Sequence, residues 1–167
     1  MYDRKTDTYW SQFDGLAIVG ELSGMKLTMI SVDTVTWGEW KGAHPDSEVL
    51  SQDTGFSRNY GRDPYGSYYE DSYLLFPVEN EDPSPVHPKT FVYGVEINGA
   101  FKAYKEDDLV ALKQIEDTVG GVKIKVVRDD IGTVRVTNLD TGEAIVAERG
   151  FWFAWYAFHP ETELFLQ

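Results

Sequence analysis

The chain has 167 residues, 42% hydrophobic and 14% aromatic, which suits one domain with a sizeable core or two small lobes fused tightly and excludes a disordered chain. Its formal net charge of -13 argues against nucleic acid as a partner, because a phosphate backbone calls for positive charge. Cysteine is absent, so disulfides, thiolate catalysis, iron–sulfur ligation and cysteine-based zinc sites are excluded.

No run approaches the length of a membrane-spanning helix. The N-terminus lacks a basic segment followed by an apolar stretch, so no signal peptide is visible. Folded-looking sequence begins at once with Tyr2-Asp3-Arg4, as it would in a cytoplasmic protein or in a chain cut from a longer precursor. Residues 8–20 alternate loosely and predict a strand or hairpin turning at Asp14-Gly15. Met25–Val32 reads as a strand. Thr36 and Glu39 form a capping box, opening a two-turn helix that stops before Pro45. Glu48-Val49-Leu50 then returns to strand. Residues 52–90 are rich in Tyr, Gly and Pro and read as irregular.

Regular structure resumes at 91. Phe91–Ile97 and Ala100–Tyr104 flank Asn98-Gly99, a strong hairpin signal. Asp107 or Asp108 caps a helix carrying Leu109, Leu112 and Ile115, with Gly120-Gly121 as its end. Val122–Val127 and Thr133–Thr137 alternate around an Asp-Asp-Ile-Gly turn, and Glu143–Ala147 reads as a further strand. A second helix with its capping signals closes the chain.

That last helix repeats an earlier one. Trp37–Val49 reads Trp-x-x-Trp-x-x-x-His-Pro-acid-x-Glu-apolar, and Trp152–Leu164 reads the same way. Gly15–Gly20 and Gly142–Ala147 form a weaker echo with unequal spacers. The expected fold class is α+β: mostly antiparallel strands, two or three short helices and a degenerate internal duplication. It is read as a single domain over 1–167, comprising the end of one repeat unit (about 1–51), the irregular middle (52–90) and a second unit (91–167).

The candidate ligand-binding residues are Asp53, Arg58, Tyr60, Arg62, Asp63 and Tyr65, with Tyr68 and Tyr69 beside them. Loops on a rigid scaffold are where ligands are met, and the Arg62 fork suits a carboxylate or phosphate. A small anionic or sugar ligand fits this loop. The alternative is an internal Arg62–carboxylate pair that ties the loop down. The expectation is that Arg62 and Asp63 lie at the mouth of the largest concave surface, lined by at least two of the tyrosines.

His44 and His159 are further candidates, either as ligands or acid/base groups or, the favoured reading, as helix C-caps whose imidazole bonds a free carbonyl. His87 lies in a loop. The four repeat tryptophans could stack on a sugar or cation, but are expected in the core. Glu79, Glu81 and Asp82 read as a solvated charge run rather than a calcium loop. No metal and no cofactor is expected: the glycines match neither a P-loop nor a dinucleotide fingerprint, and no metalloprotease or Gly-x-Ser-x-Gly motif occurs.

Several motifs together carry a resemblance. They are Tyr2–Thr6 through Gln12, Trp37–Pro45, Asn59–Tyr65, Gly94–Gly99 with Ala103-Tyr104, Asp117–Gly121, and Phe151–Pro160. In this order they resemble the DUF3179 family, a domain of unknown function in bacteria and archaea whose members are often exported or lipoprotein-like. The resemblance covers nearly the whole chain and implies no activity. It also implies an earlier Gly-Val-x-Ile-x-Gly…Ala-Tyr unit with a histidine-bearing helix and a Cys-Pro-x-Cys-type motif. This chain starts after that unit, and Leu112 stands at the later unit's histidine position. The sequence thus reads as the family's C-terminal part, a natural or constructed truncation.

Three functions stay open: a non-catalytic binding or scaffold domain, an enzyme or sensor acting through residues 53–69, and an interaction half that pairs with another copy. The last includes a homo-oligomer formed through an open sheet edge.

Overall fold

The chain opens with three short antiparallel strands, β1 (Tyr2–Asp3), β2 (Thr8–Trp10) and β3 (Ala17–Val19), in a computed structural model that describes residues 1–166. The expected turn around Asp14-Gly15 lies between β2 and β3. Gly15 there takes φ 59°, which suits a residue without Cβ.

Met25–Val32 is not a strand. Only Lys26 forms an isolated bridge, to Leu16, and Ile30 and Val32 point into solvent. Its β-branched residues fit a pleated surface, but no neighbouring strand supplies one. Helix α1 (Trp37–Ala43) follows, with the Thr36–Glu39 capping box fully formed. Glu48-Val49-Leu50, expected as strand, is likewise unpaired. In the middle segment, Gly66–Tyr69 forms one 3-10 turn.

Strands β4 (Phe91–Ile97) and β5 (Ala100–Lys105) form the hairpin at the centre of the molecule. Asn98 and Gly99 both have positive φ, 52° and 76°, as a two-residue turn that follows strand twist requires. Helix α2 (Glu106–Leu112) comes next and is shorter than expected. It ends at Lys113, φ 65°, and carries no side-chain N-cap. Ile115 belongs instead to β6 (Gln114–Val119), which pairs with β7 (Val122–Arg128). Gly120-Gly121 is therefore a hairpin turn and not a helix end. The Leu109, Leu112, Ile115 spacing fits a helix, but the pairing of β6 with β7 overrides it.

Strand β8 (Val134–Asn138) pairs with β7 across the Asp129–Gly132 turn, and β9 (Ala144–Ile145) is a two-residue remnant of the strand expected at 143–147. A strand the sequence did not announce, β10 (Glu148–Phe151), leads into helix α3 (Trp152–Phe158) and β11 (Glu163–Leu164). Phe151 occupies the α3 N-cap without a side-chain cap, so the expected capping signal is absent there.

Two four-stranded sheets result, ordered β10-β4-β5-β11 and β6-β7-β8-β9. Period-two alternation in the central hairpin sorts its residues into two cores. Tyr93, Val95 and Tyr104 face the second sheet, where Ile115, Ile124, Val126, Val134 and Val136 meet them, with Leu109 of α2 alongside. Val92 and Ala103 face the other way, onto Trp152 and Trp155 of α3. Phe13 of the N-terminal segment joins this second core, its ring 6.2 Å from Trp155.

Polar clamps hold the layers. Arg149 of β10 makes a two-pronged bond to Glu106 at 3.0 and 2.7 Å, with its guanidinium 3.8 Å over Phe91. Arg135 of β8 reaches back to Asp33 at 2.6 and 2.7 Å, mooring the segment that carries α1.

Candidate functional site

The repeated motif is reproduced at atomic detail. Each helix has seven residues. The residue before α1 has φ -72° and ψ 149°, and that before α3 has -73° and 147°. The closing histidines match as well, at -129°, 71° for His44 and -131°, 66° for His159. Both donate their backbone N–H to the second tryptophan of the motif, at 2.7 and 3.0 Å. Each of those tryptophans sends its indole N–H to a hydroxyl seven residues on: Trp40 to Ser47 Oγ at 3.0 Å, Trp155 to Thr162 Oγ1 at 2.9 Å. The aligned hydroxyls were readable in the sequence, one step before the shared glutamate, yet only the bond shows their purpose.

Surroundings separate the copies. Trp155 is 1% exposed and Trp152 3%. Beneath Trp155 lies Gly94, where a Cβ would come within 2.4 Å of the indole ring. Trp152 donates its indole N–H to Asp82 at 2.5 Å. Asp82 is therefore not part of a merely solvated run: burial raises its carboxyl, but bonds from Ser84 and Trp152 outweigh that and leave it below the usual carboxylate range. In the first copy Trp37 is 45% exposed, Trp40 is half-buried, and no residue of α1 is buried. The expectation that the four repeat tryptophans lie in the core holds for Trp152 and Trp155 and fails for those of α1.

The histidines sit at the helix ends as expected, but their rings do a different job. Among the described residues neither imidazole makes a hydrogen bond. His159 stacks on Phe101 at 4.2 Å and 15° and lies 4.3 Å from Trp155. His44, exposed, packs on Trp40 at 3.9 Å. Burial pulls the His159 imidazole below its ordinary value, against the opposing charges of Asp14, Glu161 and Glu96; Lys26 adds to the lowering. Nearby Glu148 of β10 is pushed up to about 7, by burial first, then by Asp14 and Glu96, with Lys26 opposing. No sequence signal marked Glu148.

Residues 53–69 form an exposed arch. Tyr60 OH shares a hydrogen bond with Thr54 Oγ1 at 2.8 Å, and Asp63 Oδ1 accepts from the Tyr65 backbone N–H at 2.9 Å. Tyr65, Tyr68 and Tyr69 cluster with ring centroids 6.2 to 6.4 Å apart, and Tyr69 reaches Phe151 at 6.1 Å. Asp53, Arg58 and Arg62 are exposed, and among the described residues neither arginine forms an ion pair. The internal Arg62–carboxylate tie is thus not formed. Lys89, which no motif flagged, ties the segment instead. Its ammonium is buried, bonded to the Asp71 carbonyl at 2.6 Å and carboxylate at 2.8 Å, and sits 3.6 Å over the Tyr68 ring.

A concavity of about 610 Å³ does not take its walls from the arch. It is lined by Tyr73, Leu75, Pro77, Val86, Trp152 and Phe153 among others, with Glu81 and Asp82 on its rim. The expectation that Arg62 and Asp63 lie at its mouth with at least two of Tyr60, Tyr65, Tyr68 and Tyr69 lining it is not met: the Lys89–Asp71 clamp holds the Tyr68 end of the arch, and the walls come from the segment after it and from Trp152 and Phe153. His44 lines a shallower recess of about 420 Å³ with Pro45 and Ser47. Among the described residues, no group of three or more His, Asp or Glu is placed to hold a metal ion. No helix is long and apolar enough to cross a membrane.

A family model described as "Protein of unknown function (DUF3179)" matches residues 1–162. No curated protein and no solved structure matches the chain.

Proposed function

Because the chain belongs to the DUF3179 family, whose description names no activity, we propose that it is a non-catalytic binding or scaffold domain. One observation carries this reading. Helix α1 has a capping box of its own and shares the indole–hydroxyl bond and the closing geometry of α3, yet buries none of its residues. An indole ordered this way in solvent gains little for its own fold, and exposed aromatic groups of this kind are the anchors that interfaces use. Ile30, Val32, Trp37, Val49 and Leu50 are exposed as well.

The same observation supports the finer reading that the chain corresponds to the later part of the family's unit, and it favours an interaction half over a self-sufficient module. An exported or lipoprotein-like parent belongs to this proposal. So does self-association through an edge strand, for which β10 and the two-residue β11 are the margins of the central sheet. The unpaired Arg58 and Arg62 support a second reading, capture of a small anionic or sugar ligand by the arch.

Site-specific photo-cross-linking tests the first reading. A photoreactive residue at position 37, in the protein expressed in its own host, is expected to cross-link to one defined partner. Trp40→Ala should remove that product. A chain that cross-links to nothing overturns the reading.

A further inference from the structure

We propose that the α1 motif docks on a two-stranded β-ribbon of another polypeptide segment, one carrying a glycine cross-strand from an alanine and a lysine just before that alanine. This rests on the binding reading above and names the partner's chemistry.

The second copy of the motif shows what such a surface receives. Trp155 lies on Gly94, and Gly94 pairs across the hairpin with Ala103. Only a cross-strand pair this small lets a flat indole approach the backbone. Next to Ala103, Phe101 stacks on His159, and Lys102, paired with Asp117 at 2.9 Å, also reaches the exposed Glu163 at 3.5 Å. The segment after the helix then adds to the ribbon edge as a parallel strand, with Glu163 beside Lys102 and Leu164 beside Ala103. A ribbon reading Phe-Lys-Ala opposite Gly therefore meets four features of the motif at once.

Every one of those four features recurs in the first copy in the same order, and none has a partner. Trp40 is held by its own hydroxyl bond, as Trp155 is. His44 stands at the same closing geometry and is exposed. Glu48 forms no ion pair among the described residues, where Glu163 meets Lys102. Val49 is exposed and Leu50 is 94% exposed, with their backbone outside any sheet. The strand pairing of the second copy sets the register, and charge agrees with it: a lysine of the ribbon opposite Glu48, and the glycine–alanine pair under Trp40. Strand addition of this kind supplies main-chain bonds for affinity and side-chain pockets for specificity.

A second copy of this chain does not fit the role. Among the described residues its only ribbon with this pattern is β4–β5, and both faces of that ribbon are already covered, one by α3 and the other by the second sheet. Docking there would expel Trp155 and leave as much aromatic surface exposed as it buried.

The experiment uses the intact chain and a head-to-tail cyclised peptide with the sequence of residues 91–105, whose Asn98-Gly99 turn preserves the hairpin. Titration is read by tryptophan emission, and amide exchange reports protection across 37–50. Saturable binding is expected, with that protection. Replacing the peptide's glycine by valine should weaken binding by about thirtyfold or more, the scale of losing one anchor pocket. Trp40→Ala in the protein should do the same. A lysine-to-glutamate change in the peptide should weaken binding, and Glu48→Lys in the protein should restore it. If the glycine and valine peptides bind equally, if neither binds up to millimolar concentration, or if the chain self-associates and Trp40→Ala abolishes that, the proposed partner is wrong. A persistent cross-link at position 37 alongside a silent ribbon would remove this inference and leave the binding reading standing.

Discussion

Helices α1 and α3 share a sequence pattern, a length, their boundary dihedrals and an indole–hydroxyl bond, yet one is surface and the other core. The difference lies entirely in what stands beneath them. It teaches that local sequence settles the shape of such a motif, through the His-Pro stop and the hydroxyl acceptor, since α3 takes the same shape without a side-chain N-cap. Tertiary context settles its energy, since burial of an aromatic side chain dominates its contribution.

The sharpest way to break the comparison is truncation. Trp155→Ala is expected to cost about 3–5 kcal/mol, the scale for a fully buried large side chain. Trp40→Ala should stay within about 1 kcal/mol, because little surface is buried there. Chemical denaturation of the two variants measures both, and comparable losses would mean that α1 is packed after all.

Next in size is Gly94→Ala. Its new methyl would meet the Trp155 ring, an overpacking of about 1–3 kcal/mol. In a Trp155→Ala background the same change should be far milder, so the double-mutant cycle should show strong coupling. Additive losses would place the strain elsewhere.

Two groups of the later unit titrate away from their ordinary values. Glu148 binds more protons in the native state than unfolded between its ordinary 4.5 and about 7. Its contribution is therefore fully present below 4.5 and lost as pH rises through 7. Glu148→Gln should stabilise the protein at pH 8 by about 1–2 kcal/mol once solvent screening is allowed for, and by little at pH 4. His159 works oppositely: its lowered value means stability is lost as pH falls below about 6.5. Stability measured against pH for each variant checks these signs. A Glu148→Gln variant less stable than wild type at pH 8 would contradict the first.

The smallest expected effect is at the histidines. His159→Ala should cost about 1–2 kcal/mol, through lost stacking on Phe101. His44→Ala should cost under about 0.5 kcal/mol. Melting temperatures separate them, and equal losses would favour a shared capping role.

What the sequence disclosed follows the range of each interaction. The Thr36–Glu39 capping box, the Asn98-Gly99 turn and the repeat register are encoded within a few residues, and all form as read. Strand β6 was misread because Leu109, Leu112 and Ile115 fall at helical spacing, and only pairing with β7 decides otherwise. Met25–Val32 was misread for the converse reason, since strand propensity found no neighbour. Lys89, Glu148 and the Asp82–Trp152 bond depend on segments far apart in the chain and left no local trace. Gly94 was the one distant feature within reach, because a glycine inside a strand often marks a close approach. For the candidate site, the motif's geometry was legible, whereas which copy lay open to solvent was not.

The seat of Trp155 on Gly94 also provides a spectroscopic handle. The α-proton of Gly94 that takes the place of a Cβ points into the face of the indole at very close range. Ring current must move that resonance strongly upfield, away from every ordinary glycine signal. One isolated peak then reports whether the last helix is seated on the central hairpin, and its loss during heating or at low pH would time that event separately from global melting. The same physics would label a partner: a glycine arriving beneath Trp40 would announce itself by a new upfield line in an otherwise unchanged spectrum.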